Sequence, residues 1–326
     1  MKDIFESKTK LAGFILVFII LTALPSFTTS YWIGLLTQIL IIGTSAMSLD
    51  ILLGFTGMPS FGHAGFFGAS AYAVAILSTH HQVGFWLCLA SGIATAMIIG
   101  AVFGLLVAHT RGVYFLMITM ALGMALWGLA YRWVSMTGGE SGITRIPRPE
   151  IGLPISMSDP TTFYYATLVF FTICLVLMGI FVRSPFGLSL KGVRESESRM
   201  QILGYHTWLH RYLSYVVAIG FAGVAGVFWA YYNGFVSPSD LELSASFELF
   251  LMVILGGPRT LVGAALGAGM IVFLKNFISA YTQRWLLILG AIYILTILYA
   301  PQGFMNLILE NWLKQKKRGR DVKRSG

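Results

Sequence analysis

Between Leu11 and Thr110 a single residue carries a formal charge, Asp50, and thirteen positions later stands His63 in a glycine-rich run. A carboxylate at the centre of a membrane helix costs about 2.5–3.5 kcal/mol on insertion scales, so its default reading is functional, a gate or a proton site. Near a helix end, a snorkelling or interhelically bonded aspartate serves structure just as cheaply, and both readings stay open. His63, flanked by Gly62 and Ala64, divides the same way between a proton relay and a donor to a neighbouring helix's carbonyl. Neither has a metal-ligand companion at helical spacing. Ser60, after Pro59, can cap free N–H groups at a helix start whose dipole favours an anion. Phe61, Phe66 and Phe67 can wall an aliphatic group, or face lipid or core. The chain has no Gly-x-x-x-x-Gly-Lys-Ser/Thr phosphate loop, so it has no nucleotide lysine of its own. No Ser-His-Asp, paired-carboxylate or Cys-His arrangement in a solvated setting suggests catalysis. Cys88 and Cys174 lie in apolar stretches and read as small core residues, and His80-His81 reads as a polar turn.

The elements that must position these groups follow from composition. Of 326 residues, 11% are charged and 56% hydrophobic, with mean hydropathy +0.77. An average soluble protein carries roughly 25% charged residues, and a bilayer is the solvent that suits so apolar a chain. Apolar windows bounded by Gly, Pro or charge predict ten spans, at 11–28, 31–54, 61–79, 84–108, 113–134, 162–183, 211–234, 244–256, 261–281 and 284–300. With the N-terminus in the cytoplasm, Lys2, Lys8, Lys10, Arg111, Arg183, Lys191, Arg194, Arg199, Arg211, Arg259 and the seven cations from Lys314 to Arg324 fall inside. Arg132, Arg145, Arg148, Lys275 and Arg284 stay outside, the bias that the positive-inside rule expects. The short eighth window must cross for the basic tail to share a side with the 183–211 loop. The net charge of +9 then reflects topology and anionic lipid, with no nucleic acid implied.

Two segments depart from plain spanning helices. Gly54–Gly68 holds five glycines and Pro59, and Leu255–Gly269 holds five glycines and Pro258. Helices interrupted at membrane depth either line a cavity or are buried in protein, and paired broken segments point to the transport site of an internally repeated carrier. Small residues also let helices pack closely, so path and packing remain alternatives. The largest polar island runs from Arg183 to Tyr205. Pro185 and Gly187 end the sixth span, and 194–203 suits a short surface helix with Glu195 and Arg199 at i,i+4 and Gly204 as C-cap glycine. It reads as a docking element or as a solvated loop with a lipid-facing edge.

Ser48–Tyr72 resembles the glycine-rich signature of the LivM-type permease subunit of branched-chain amino-acid ABC importers. Phe186–Gly204 resembles that family's cytoplasmic coupling segment, and Met252–Ala268 its second glycine motif. The matches run from about residue 30 to residue 305. Departures stand at Phe61, Ser70, Pro258-Arg259-Thr260 and Ala264, which put substrate identity in doubt more than transporter class. The resemblance implies an all-α polytopic protein of about ten transmembrane helices, open to an arrangement as two inverted repeats with broken helices. Residues 1–10 are then a cytoplasmic N-terminus, 11–311 a permease domain with a cytoplasmic coupling loop at 184–208, and 312–326 a basic cytoplasmic tail. It implies alternating-access uptake of branched-chain or other hydrophobic amino acids across a bacterial inner membrane, with both termini cytoplasmic. The partners implied are a second related permease, two ATP-binding subunits, an extracytoplasmic binding protein and membrane lipid. No cofactor is expected in this chain, since ATP and Mg sit on the ATPase. The 135–160 loop would help receive the binding protein. Expected path residues are Asp50, Gly57, Ser60, Gly62, His63, Gly65, Phe66, Gly256 and Gly257. Expected ATPase contacts are Arg194, Glu195, Glu197, Arg199, Leu203 and Gly204. A urea or short-amide permease of the same family is the nearest rival, and from another class comes an ion-coupled carrier or channel using Asp50 and His63.

Overall fold

The computed structural model describes residues 18–26, 28–148 and 157–282, with seven further positions between 284 and 298. The N-terminal decapeptide, the basic tail, most of the expected tenth span and the start of the expected first span lie outside these residues. Apart from a single turn at Val134–Thr137 and short 3₁₀ turns, the main described helices are α1 (Ser30–Asp50), continued by a π-helical turn over Ile51–Thr56, α2 (His63–His80), α3 (Phe85–Val107), α4 (Gly112–Arg132), α5 (Pro160–Arg183), α6 (Pro185–Glu195), α7 (Glu197–Ile202), α8 (Thr207–Asn233), α9 (Leu243–Gly256) and α10 (Leu261–Tyr281). Six of these, α1 with its π turn, α3, α4, α5, α8 and α10, are long and apolar enough to cross a bilayer. A short antiparallel ladder, β1 (Ile143–Thr144) with β2 (Phe235–Val236), joins two connecting segments.

Small residues decide how these helices meet. Gly92, Ala96, Gly100 and Gly104 recur every fourth residue of α3 and are all buried. Val227, Ile219 and Tyr212 of α8 occupy the places where side chains on the three glycines would stand, and Ala96 lies against Gly223. This is the small-xxx-small geometry that lets membrane helices approach without a hydrophobic driving force between them. The opposite edge of α3, with Ile98, Val102, Leu105 and Leu106, is exposed and suited to lipid. Helix α1 is the centre: 83% of its most apolar window is buried, against 28% for α3, α4 and α5. Its buried Thr37 and Thr44 satisfy themselves by bonding back to Ile33 O and Leu40 O at 2.8 and 2.9 Å.

Contacts set the direction of each helix. Gly43 and Ile39 of α1 meet Ala265 and Gly269 of α10, and Gly34 O accepts from Tyr232 Oη of α8 at 3.0 Å. Helices α1, α3, α5 and α9 therefore run toward one end, where α6 and α7 pack, and α2, α4, α8 and α10 run away from it. The two broken hairpins, α1–turn–α2 and α9–turn–α10, consequently point the same way, so an inverted relation does not describe this pair. Helix α9 has 14 residues, which is about 21 Å at 1.5 Å per residue and less than the ~30 Å apolar core. The missing depth is made up by a dip of the preceding chain: a 3₁₀ turn at Pro238–Leu241 places Leu241 on Gly68 of α2, and Asp240 is held by Trp229 Nε1 at 2.9 Å. The expected single helix at 194–203 is instead two. Ser196 adopts an extended backbone and accepts from Arg199 N at 3.4 Å, which ends α6 and starts α7. Gly204, at φ +85°, closes α7 with the paired bonds Gly204 N–Gln201 O and Tyr205 N–Met200 O, the Schellman arrangement expected of a C-cap glycine.

Candidate functional site

Three elements converge on Asp50 at the end where α6 packs. The carboxylate is fully buried, and its Oδ1 accepts from the backbone N–H of Arg259 at 2.9 Å, across to the α9–α10 turn. Arg259 takes φ +71° and Gly257 φ +105° to make that turn, conformations costly for a non-glycine residue such as arginine. Arg194 of α6 donates through Nη1 to Gly54 O in the π turn, and its stem lies against Gly57, the left-handed residue (φ +76°) that ends that turn. Lys191 Nζ sits 5.6 Å over the Phe55 ring, a second contact from α6 to the same turn. Burial holds the Arg194 guanidinium below its ordinary pKa, as does the neighbouring Arg259, while Asp50 and Glu195 act in the opposite sense. Gly54 cannot carry a side chain, because Asp50 Oδ1 and Arg259 N fill that space.

Two residues back along α1 the second polar group is assembled. Ser48 Oγ and His63 Nε2 lie 2.7 Å apart, both fully buried. Ser60 does not cap α2: the N-cap is Gly62, the Ala64 N–H is taken by Ser246 Oγ of α9 at 3.1 Å, and the Phe61 N–H by Thr119 Oγ1 of α4 at 3.3 Å. The cap comes from two other helices because the chain arrives at α2 extended and buried between them. Gly62 packs against the backbone of Thr119 and Gly123, and Gly65 against Gly123 and Leu126. Phe66 stands edge-on to Phe103 and Tyr215 in the core, and Gly256 rests on the backbone of Gly263. Of the nine expected path residues, the structure thus brings Asp50, Gly57 and Gly257 together, places Ser60 and His63 one layer deeper, and sets Gly62, Gly65, Phe66 and Gly256 in helix contacts.

An open face lies between α4 and α9. The Phe61 ring meets Phe247 tilted at 4.4 Å and Phe250 edge-on at 4.9 Å, and Phe247 is exposed. On the other flank of α9, Glu248 pairs with Lys275 of α10 at 3.0 Å with both side chains partly accessible. Sequence reading missed Arg259 as a ligand of Asp50, and missed Ser48, Thr119, Ser246 and the Glu248–Lys275 pair. Single polar residues inside apolar runs were the available signal. Among the described residues no group of three or more His, Cys, Asp or Glu could hold a metal ion.

The expected ATPase contacts split. Arg194 is turned inward, as above. Glu197 is also committed within the chain: it pairs with Arg111 Nε at 2.9 Å and Arg211 Nη1 at 3.8 Å, and accepts from Thr207 Oγ1 at 3.0 Å. Glu195, Arg199, Leu203 and Gly204 face outward. Ile202 and Leu203 are 85% and 71% exposed at the tip of α7, beside a groove of about 420 Å³ lined by Gln201, Tyr205, His206, Thr207, Trp208 and Leu209.

Residues 31–298 match the family model described as "Branched-chain amino acid transport system / permease component". The chain is 28% identical over 295 residues to the high-affinity branched-chain amino acid transport system permease protein LivM of Escherichia coli K12, covering 84% of this chain and 69% of that one. The LivH permease protein of the same organism is 23% identical over 279 residues, 80% and 89% of the two chains. A probable LivM permease of Methanocaldococcus jannaschii is 22% identical over 310 residues, again 80% and 89%. No solved structure matches. The helical membrane architecture and the extent of the family match together place this chain in the branched-chain amino acid transport permease family, a multi-pass membrane protein.

Proposed function

We propose that this chain is one half of the membrane channel of an ATP-driven importer for branched-chain or other hydrophobic amino acids, working by alternating access. The observation that carries the reading is the α6–α7 segment: its inner face grips the π turn of the first broken hairpin, which Asp50 ties to the second, and its outer tip offers Ile202 and Leu203 beside an open groove. If uptake is driven by ATP, a chain without a phosphate loop receives that energy from a nucleotide-hydrolysing partner, and a grip that differs between access states is what lets that partner do work. The partners are two ATP-binding subunits at this tip, carrying ATP and Mg, a second related permease, and an extracytoplasmic binding protein at the opposite end. The tip, the N-terminus and the basic tail then face the cytoplasm, across a bacterial inner membrane. The Phe61–Phe247–Phe250 face supports a path along one flank of α9, and on the other flank the partly accessible Glu248–Lys275 pair suits a protein or water interface better than hydrocarbon. The chain purified with its co-expressed ATPase should accumulate leucine in liposomes only with ATP, and be inert alone. Uptake by the single chain under a proton gradient would overturn this reading. Ligand-induced stabilisation of the cognate binding protein identifies the solute.

A further inference from the structure

We infer that Asp50 and Arg194 form an internal relay that ties the ATPase-facing segment to both broken hairpins, so that neither residue contacts solute or partner. Three observations carry this, and it rests on the importer reading above. First, Asp50 closes a link between two hairpins 209 positions apart, by holding the Arg259 N–H at 2.9 Å. That bond keeps Arg259 in its left-handed conformation and so shapes the α9–α10 turn. Second, Arg194 reaches from α6 to Gly54 O in the π turn, and Gly54 in turn lies against the Asp50 carboxylate. Third, glycine is required at Gly54 and Gly57 because Asp50, Arg259 and Arg194 occupy the space around them.

The physical consequence is that α6 cannot leave the junction without breaking the Arg194 bond to Gly54 O, beside the fully buried Asp50 that holds the α9–α10 turn. A buried hydrogen-bonding group left without its partner is costly, so the π turn, the α9–α10 turn and α6 move as one body. A π turn in place of regular helix is a feature often found at functional sites. It gives α1 a point at which to bend when α6 shifts. Arg194 and Asp50 are therefore positioning residues: they transmit displacement to the hairpins that flank the path.

The test uses the full complex in proteoliposomes, with labelled leucine as probe and Asp50→Asn, Arg194→Gln and the double variant. Asparagine keeps an oxygen for the Arg259 N–H while removing the charge. Each single variant should lower leucine moved per ATP hydrolysed about tenfold, with hydrolysis itself within about twofold of the wild type, and the double variant should be no worse than either single. A wild-type transport ratio in Arg194→Gln, losses that multiply in the double variant, or a raised KM for leucine at an unchanged ratio would each overturn the relay. A readout independent of transport is hydrogen exchange of the isolated full chain in detergent. Arg194→Gln, on a partly exposed side chain, should speed exchange of the Arg259 amide about tenfold, and unchanged exchange there also overturns the relay. Failure of the wild-type complex to transport, with that exchange response intact, would instead count against the importer reading.

Discussion

Glycines in this chain are of two physical kinds, and the difference can be measured. At Gly54 and Gly226 the space for a side chain is filled by Asp50 Oδ1 with Arg259 N, and by Phe67 O, respectively. At Gly128, inside α4, nothing lies within 4 Å. Gly54→Ala or Gly226→Ala should destabilise by about 1–3 kcal/mol through overpacking, whereas Gly128→Ala should gain about 0.5–1 kcal/mol from reduced chain entropy. Thermal unfolding in detergent reads both signs, and equal shifts at Gly54 and Gly128 would refute the distinction. Glu197 is a second residue whose role turns on its neighbours. Its carboxylate serves the buried Arg211, so Glu197→Ala should lower stability by about 2 kcal/mol, the scale of a hydrogen bond to a charged group. A charge meant for the partner alone would leave the stability of the isolated chain unchanged.

At the scale of elements, α6 and α7 divide labour that a single helix could not. The break at Ser196 turns α6 inward to the π turn and lets α7 project Ile202 and Leu203 outward. Ile202→Asp with Leu203→Asp should therefore leave the melting temperature of the chain within about 2 °C, since exposed positions away from special features shift stability little. Co-purification of the ATPase should fall at least tenfold, as measured by pull-down from the co-expressed complex. Retained ATPase would show that the tip is not the docking element. The short α9 follows the same logic of reach. The 3₁₀ turn before it supplies the depth that 14 helical residues lack, with Asp240 anchored on Trp229 at 2.9 Å.

At the scale of the whole molecule, eight of the described helices alternate in direction with α1 buried at their centre, and α6–α7 and the dip at Pro238–Leu241 fall at opposite ends. Single cysteines at Leu203 and Ser239, both exposed positions, should then be labelled from opposite faces of sealed membranes by an impermeant maleimide. The native Cys88 and Cys174 are buried and should stay unreacted. Labelling of both introduced sites from one face would break the alternation. The apolar outer edges of α3, α4, α5 and α10 need lipid or the second permease, so the chain should require detergent for extraction.

Hydropathy is a property of neighbours along the chain, and so the sequence alone sets the apolar helices between residues 30 and 281, the breaks at the two glycine-rich motifs, the polar segment after the sixth expected span and the C-cap at Gly204. The expected ranges 84–108, 162–183 and 261–281 meet α3, α5 and α10 to within two residues at each end. Asp50 and His63 were legible as groups with a reason to exist, but their partners were not. Arg259 lies 209 positions from Asp50, Gly54 lies 140 from Arg194, and Ser246 lies 182 from Ala64. Which glycine faces a helix and which faces an arginine, and which charge of the coupling segment turns inward, depend on contacts between residues far apart in the chain. Only the packed helices bring those residues within hydrogen-bonding range.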